Sequence, residues 1–192
     1  MKAITLGPAG TYSHRAARAV VDEVEFRESV TAIVEAVADG TYDRGVVPIE
    51  NSIEGSVTES LDALAEYEVA VTQEVVTPIR HALLAQGADF SVVASHSQAL
   101  AQCRTYLETE YPDVSLEAVA STARGVERAR EDPTVAGIGH PDNAGGELQI
   151  LAEDIQDRSS NATRFLVVAP QSERSEAGGK SSIVVYPNAN YP

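Results

Sequence analysis

A hydroxyl, a guanidinium and an aromatic ring stand side by side at Thr163, Arg164 and Phe165. The residues that follow, through Ala169, form an apolar, β-rich run closed by Pro170, the pattern of a buried strand. Side chains of an extended segment alternate, so Thr163 and Phe165 share one face and Arg164 takes the other. The polar residues stand where the strand would enter the fold. The plain alternative is an ordinary strand start after a turn-favouring residue, Asn161.

Other polar candidates stand where apolar runs break off. Glu50, Asn51 and Ser52 follow the run Arg44–Ile49; Glu50 and Asn51 are either surface loop residues or an acid and an amide set at a strand end to orient a ligand. Thr11 and Ser13 lie in the turn Gly7–Ser13, Gln98 in Ser95–Gln98, and Ser121 with Thr122 after Ala120. Each of these turns precedes a helical pattern, and backbone N–H groups at a helix start attract anions. The histidines, at 14, 81, 96 and 140, have no pair at metal-ligand spacing, and Cys103 has no second cysteine, so no metal site is expected. Cys103, between Leu100 and Leu107, reads as core. A Gly-x-Ser-x-Gly elbow, a full dinucleotide fingerprint and a phosphate loop of the Walker type are all absent. Residue types alone leave two readings open, a small-anion binder and an enzyme using no metal.

The elements that must position these groups alternate between strand and helix. Strands are expected at Lys2–Leu6, Val24–Arg27, Arg44–Ile49 and Val69–Thr77, with helices from Ser13 to Asp22, from Ser29 to Gly40, and from a capping box of Ser56 and Glu59 to Glu66. After Pro78 the pattern restarts: strands at Ile79–Ala85, Val92–Ala94, Ser115–Ala120 and Val135–Gly139, one helix from Ser95 to Glu110 and another from Ser121 to Glu131. This predicts an α/β protein of two lobes with mostly parallel sheets, a seam at Thr77–Pro78, and a ligand cleft between the lobes at the carboxyl ends of strands.

Composition narrows the function. With 29 acidic and 14 basic residues the formal net charge is −15. No basic stripe exists to displace counterions, which argues against nucleic acid. The acids are dispersed and lysine is confined to Lys2 and Lys180, a surface suited to high internal salt. No apolar run is long enough for a membrane span or a signal peptide, and one cysteine allows no internal disulfide, so a cytoplasmic protein is expected.

Five segments taken together resemble prephenate dehydratase. They are Gly7-Pro8-Ala9-Gly10-Thr11-Tyr12-Ser13, Pro48-Ile49-Glu50-Asn51-Ser52 with Gly55, Ser95-His96-Ser97-Gln98-Ala99-Leu100, Ser121-Thr122-Ala123, and Asn161-Ala162-Thr163-Arg164-Phe165. Ser97 departs from the family pattern, which has a proline there. The resemblance implies a catalytic region over 1–170 with two α/β lobes like a type II periplasmic binding protein, lobe one being 1–77 plus 162–170 and lobe two 78–161. It further implies a linker at 171–180 and, at 181–192, the first strand of a truncated ACT domain, the domain through which phenylalanine inhibits full-length members. Homodimers or homotetramers are expected.

The implied reaction is the cofactor-free conversion of prephenate to phenylpyruvate, water and carbon dioxide. The resemblance assigns Thr163 as proton donor to the departing ring hydroxyl, relayed by Glu50 or water, with Asn51, Gln98 and Ser13 as polar positioners and Ser52 in the same loop. Phe165 packs beside the substrate ring or beneath the Thr163 backbone; Arg164 binds a carboxylate or braces the loop. One substrate carboxylate leaves as carbon dioxide and loses its charge in the transition state. Strong donors should therefore hold the pyruvyl carboxylate instead, at the helix starts Thr11–Ser13 or Ser121–Thr122. Arogenate dehydratase and a non-catalytic anion-binding protein on the same fold are the alternatives.

Overall fold

The computed structural model describes residues 2–175, 177 and 179; the strand expected from Ser182 lies outside the described residues. In chain order the elements are β1 (Lys2–Leu6), α1 (Tyr12–Arg18), β2 (Glu23–Arg27), α2 (Val30–Ala38), β3 (Arg44–Asn51), the short β4 (Gly55–Ser56), α3 (Thr58–Glu66), β5 (Val69–Pro78), β6 (Ala82–Ala85), β7 (Val92–His96), α4 (Ser97–Gln102), α5 (Arg104–Glu110), β8 (Ser115–Val119), α6 (Thr122–Glu131), β9 (Val135–Gly139), β10 (Gln149–Ala152) and β11 (Ala162–Pro170). Two sheets result. One runs β2-β1-β3-β11-β5 with β4 hairpinned onto β3; the other runs β10-β6-β9-β7-β8. The chain thus forms two α/β lobes, as the sequence leads one to expect.

The sheets are mixed rather than mostly parallel. β1 is parallel to β2 and β3, and β7 to β8 and β9, but β11 enters antiparallel between β3 and β5. In the second sheet β6 is antiparallel to β9 and β10. The reason is topological. β5 leaves the first sheet for the second, and the returning strand runs back alongside it. The two crossing segments stay bonded to the edge: Pro78 pairs with Ala162, and the Ile79 N–H donates to the Asn161 carbonyl at 2.9 Å.

Each lobe has its own core. In the first, Ser29 caps α2 by accepting from the Ala32 N–H, and Val30, Ile33, Val34 and Val37 form one buried face against Ile4, Val47 and Val168. In the second, Leu83, Val93, Leu107 and Ile138 pack around Cys103. Helix α6 approaches its sheet through glycine: a Cβ on Gly125 would lie 2.4 Å from the Ala94 carbonyl oxygen and 2.8 Å from Ser95 Cα.

Two local expectations fail for physical reasons. The single helix from Ser95 to Glu110 is broken at Cys103, because Asp157 intrudes: its N–H takes the Gln102 carbonyl at 2.7 Å and its carboxylate takes the Thr105 N–H. The capping box of Ser56 and Glu59 does not form. Ser56 lies in β4, Val57 is the N-cap without a side-chain bond, and Glu59 reaches the Thr31 N–H on α2 instead.

Candidate active site

β11 begins at Ala162, so Thr163 sits within the strand, one residue from the crossing. It pairs with Asn51 at the end of β3 on one side and with Thr77 on the other. Cross-strand partners share a face, so Thr163 and Asn51 point the same way. The Asn51 amide donates to Thr163 Oγ1 at 2.9 Å and to Asn161 Oδ1 at 3.1 Å. Its orientation is not free, since Asn51 Oδ1 accepts the backbone N–H groups of Ile53 at 2.9 Å and Glu54 at 3.2 Å.

That orientation propagates across the lobe junction. Asn161, 2% exposed, accepts from Asn51 and gives its own amide to Gln102 Oε1 at 3.0 Å. Gln102 Oε1 accepts only, so the His81 nitrogen 2.9 Å from it, Nε2, carries a hydrogen. Burial holds the His81 imidazole below the usual histidine range, partly offset by the Gln102 bond. Nδ1 is then bare and faces Tyr12 Oη at 3.4 Å, while the Tyr12 proton goes to the Arg80 carbonyl. Tyr12 lies edge-on to His81 and to His140, with ring centroids 6.0 and 5.8 Å away, and burial pushes its phenol up.

The remaining sequence candidates fall into two sets. Ser52 staples β3 to the start of β11, accepting the Ala162 N–H and donating to the Ser160 carbonyl. Gln98 turns its amide to Glu54, across the lobe gap. By contrast Glu50 and Arg164 are cross-strand partners on the face opposite Thr163, paired at 2.7 Å, with Glu74 3.8 Å from the same guanidinium. The sequence-based relay from Glu50 to Thr163 therefore has no support in this geometry. Phe165, 1% exposed, is packed under α1 with Ala16, Ala17, Val46 and Val167, out of reach of a cleft ligand. The hydroxyls of Thr11 and Ser121 are engaged in capping their own helices, at the N–H groups of His14 and Arg124. Ser13 makes no side-chain hydrogen bond among the described residues, and Thr122 is the first residue of α6.

A cavity of about 530 Å³ lies elsewhere on the seam, between the Pro8–Gly10 loop and Val126, Glu127 and Arg130 of α6. Its charged groups already have partners: Arg130 the carbonyls of Asn143 and Gly145, Glu127 the guanidinium of Arg124. Volume and chemistry disagree here. The convergent polar groups are at Thr163, not in this cavity.

Residues 3–173 match the family described as prephenate dehydratase. The chain belongs to that family. A bifunctional chorismate mutase/prephenate dehydratase of Pseudomonas aeruginosa is 36% identical over a gapped alignment of 194 positions that covers 96% of this chain and 53% of the relative. Prephenate dehydratase of Methanocaldococcus jannaschii is 37% identical over a gapped alignment of 172 positions that covers 84% of this chain and 62% of the relative. The crystal structure of prephenate dehydratase from Arthrobacter aurescens in complex with L-Phe superposes with a TM-score of 0.80 at 33% identity, covering 88% of this chain and 60% of that one. The chain thus spans about half the length of the bifunctional relative.

For a prephenate dehydratase chain the informative feature is which atom of Thr163 is free. Its oxygen accepts from Asn51, an amide that cannot turn round without losing two backbone bonds. The hydroxyl hydrogen is left to be donated. Sequence reasoning missed Asn161, Gln102, His81 and Tyr12 as members of this cluster. One signal was available: Gln102 is four residues after Gln98, hence on the same side of α4.

Proposed function

We propose that this chain carries out the cofactor-free decarboxylating dehydration of prephenate to phenylpyruvate, a step of phenylalanine biosynthesis, with Thr163 as the proton donor. The ring carbon–carboxylate bond breaks, its electron pair enters the ring, and the opposite carbon–oxygen bond breaks as the ring becomes aromatic. The departing hydroxyl takes the Thr163 proton and leaves as water, and solvent returns a proton to Thr163. Threonine is a weak acid, so the transfer keeps pace with carbon–oxygen cleavage rather than preceding it.

The observation that carries this reading is the fixed Asn51 amide 2.9 Å from Thr163 Oγ1, which leaves the hydroxyl hydrogen to the ligand. Gln98 and Ser13 serve as polar positioners. Arg164 takes the bracing role, holding Glu50 at the end of β3, and Phe165 supports β11 from beneath. On this reading 1–77 plus 162–170 and 78–161 act as the two jaws of the cleft. The protein works in a salt-rich cytoplasm as a homodimer or homotetramer.

The test is the absorbance of phenylpyruvate formed from prephenate by purified protein, beside Thr163→Val and an assay with arogenate. Thr163→Val should lose at least about 100-fold in turnover, the scale of general-acid catalysis. Near-normal turnover in that variant would end the proposal, and preference for arogenate would reassign the substrate.

A further inference from the structure

Glu54 lies at the exposed turn between β3 and β4, in the first lobe, yet its carboxylate is held by the second. Oε2 accepts from the Gln98 amide, and Oε1 from the Gln102 amide at 3.3 Å. The two glutamines are four residues apart on α4, so their amides present one face. The Gln102 amide is fixed independently of Glu54, because its oxygen already serves Asn161 and His81. This is a two-point carboxylate receptor with an internal carboxylate in it. Among the described residues no cation lies within ion-pair distance of Glu54, whereas Glu50 is matched by Arg164.

We propose that Glu54 is an internal occupant that a ligand carboxylate displaces from Gln98 and Gln102. The proposal deepens the reading above: of the two substrate carboxylates, the one that keeps its charge through the reaction takes the amides. This replaces the helix starts expected from sequence, where the Thr11 and Ser121 hydroxyls are engaged. Glu54 can yield at low cost, since its side chain returns to water at an exposed turn. Its backbone N–H meanwhile stays on Asn51, so displacement leaves the Thr163 arrangement in place. A protein whose receptor is self-occupied binds more weakly by the fraction of time the receptor is free.

The experiment compares the full chain with Glu54→Gln and Glu54→Ala in about 1 M KCl, where a change in net charge is screened. KM for prephenate should fall by about 3- to 10-fold in both variants. In a Gln98→Ala background the gain should shrink, because half the receptor is gone. Calorimetric binding of phenylpyruvate, which retains the same carboxylate, gives the answer without turnover and should tighten by a similar factor. Unchanged or weaker binding in both variants would overturn the inference. Absent turnover with tighter phenylpyruvate binding would instead remove the proposed reaction and leave the displacement standing.

Discussion

Around Thr163 each side chain is constrained by a neighbour from a distant part of the sequence. Asn51 reaches it from 112 residues away, and His81 meets Gln102 across 21. The chain of amides ends on a buried imidazole, which gives stability a pH dependence of known sign. His81 titrates lower in the folded protein than its ordinary 6.5. Between those two values the unfolded chain binds the proton that the folded one refuses, so stability falls as pH drops below about 6.5. His14 and His140 are shifted in the same direction by burial, and carboxylates with lowered values, such as Asp142, act only in more acid solution. Chemical denaturation between pH 8 and about 5 should show His81→Gln losing less stability over that interval than the unsubstituted chain; equal slopes would remove His81 as a contributor.

At the scale of elements, the close seat of α6 on β7 is the most demanding contact. Gly125→Ala places a methyl group against backbone atoms that cannot turn aside. It should cost about 1–3 kcal/mol, read from urea midpoints; a loss under about 0.5 kcal/mol would mean that α6 slides freely. Much of this scale was legible beforehand. The apolar spacing of Val30, Ile33, Val34 and Val37 announces α2, and the run after Arg164 announces β11, because periodicity and burial are local properties of the chain. What stayed hidden depends on chain segments meeting from afar. The break at Cys103 needs Asp157, the antiparallel insertion of β11 needs β5 as a neighbour, and the second life of Glu59 needs α2. The candidate site divides in the same way. Thr163 and Asn51 stand out as polar residues where strands begin or end; Gln102 is marked only by its spacing from Gln98, and nothing local in the sequence ties Asn161 or His81 to the cluster. Their roles exist only as hydrogen bonds between residues far apart in the chain.

The whole molecule carries a formal charge of −15, and ion pairs such as Lys2–Glu25 and Arg80–Asp154 are exposed and contribute little. The excess of acids therefore acts mainly as mutual repulsion, which about 1 M salt confines to roughly 3 Å. The melting temperature should rise between about 0.1 and 2 M KCl, and KM for prephenate should fall over the same range; a melting temperature that stays level would show that the acids are not a salt adaptation.

The two strands that join the halves, β5 outward and β11 back, are bonded to each other up to the point of crossing. Two separate tethers would let the halves drift apart, whereas one laced ribbon permits little beyond twisting about its own length. Thr163 rides on that ribbon. The angle between the halves and the tilt of one hydroxyl then change together, so that, with Thr163 as the proposed proton donor, a few degrees of torsion imposed from outside would alter turnover without anything entering the groove.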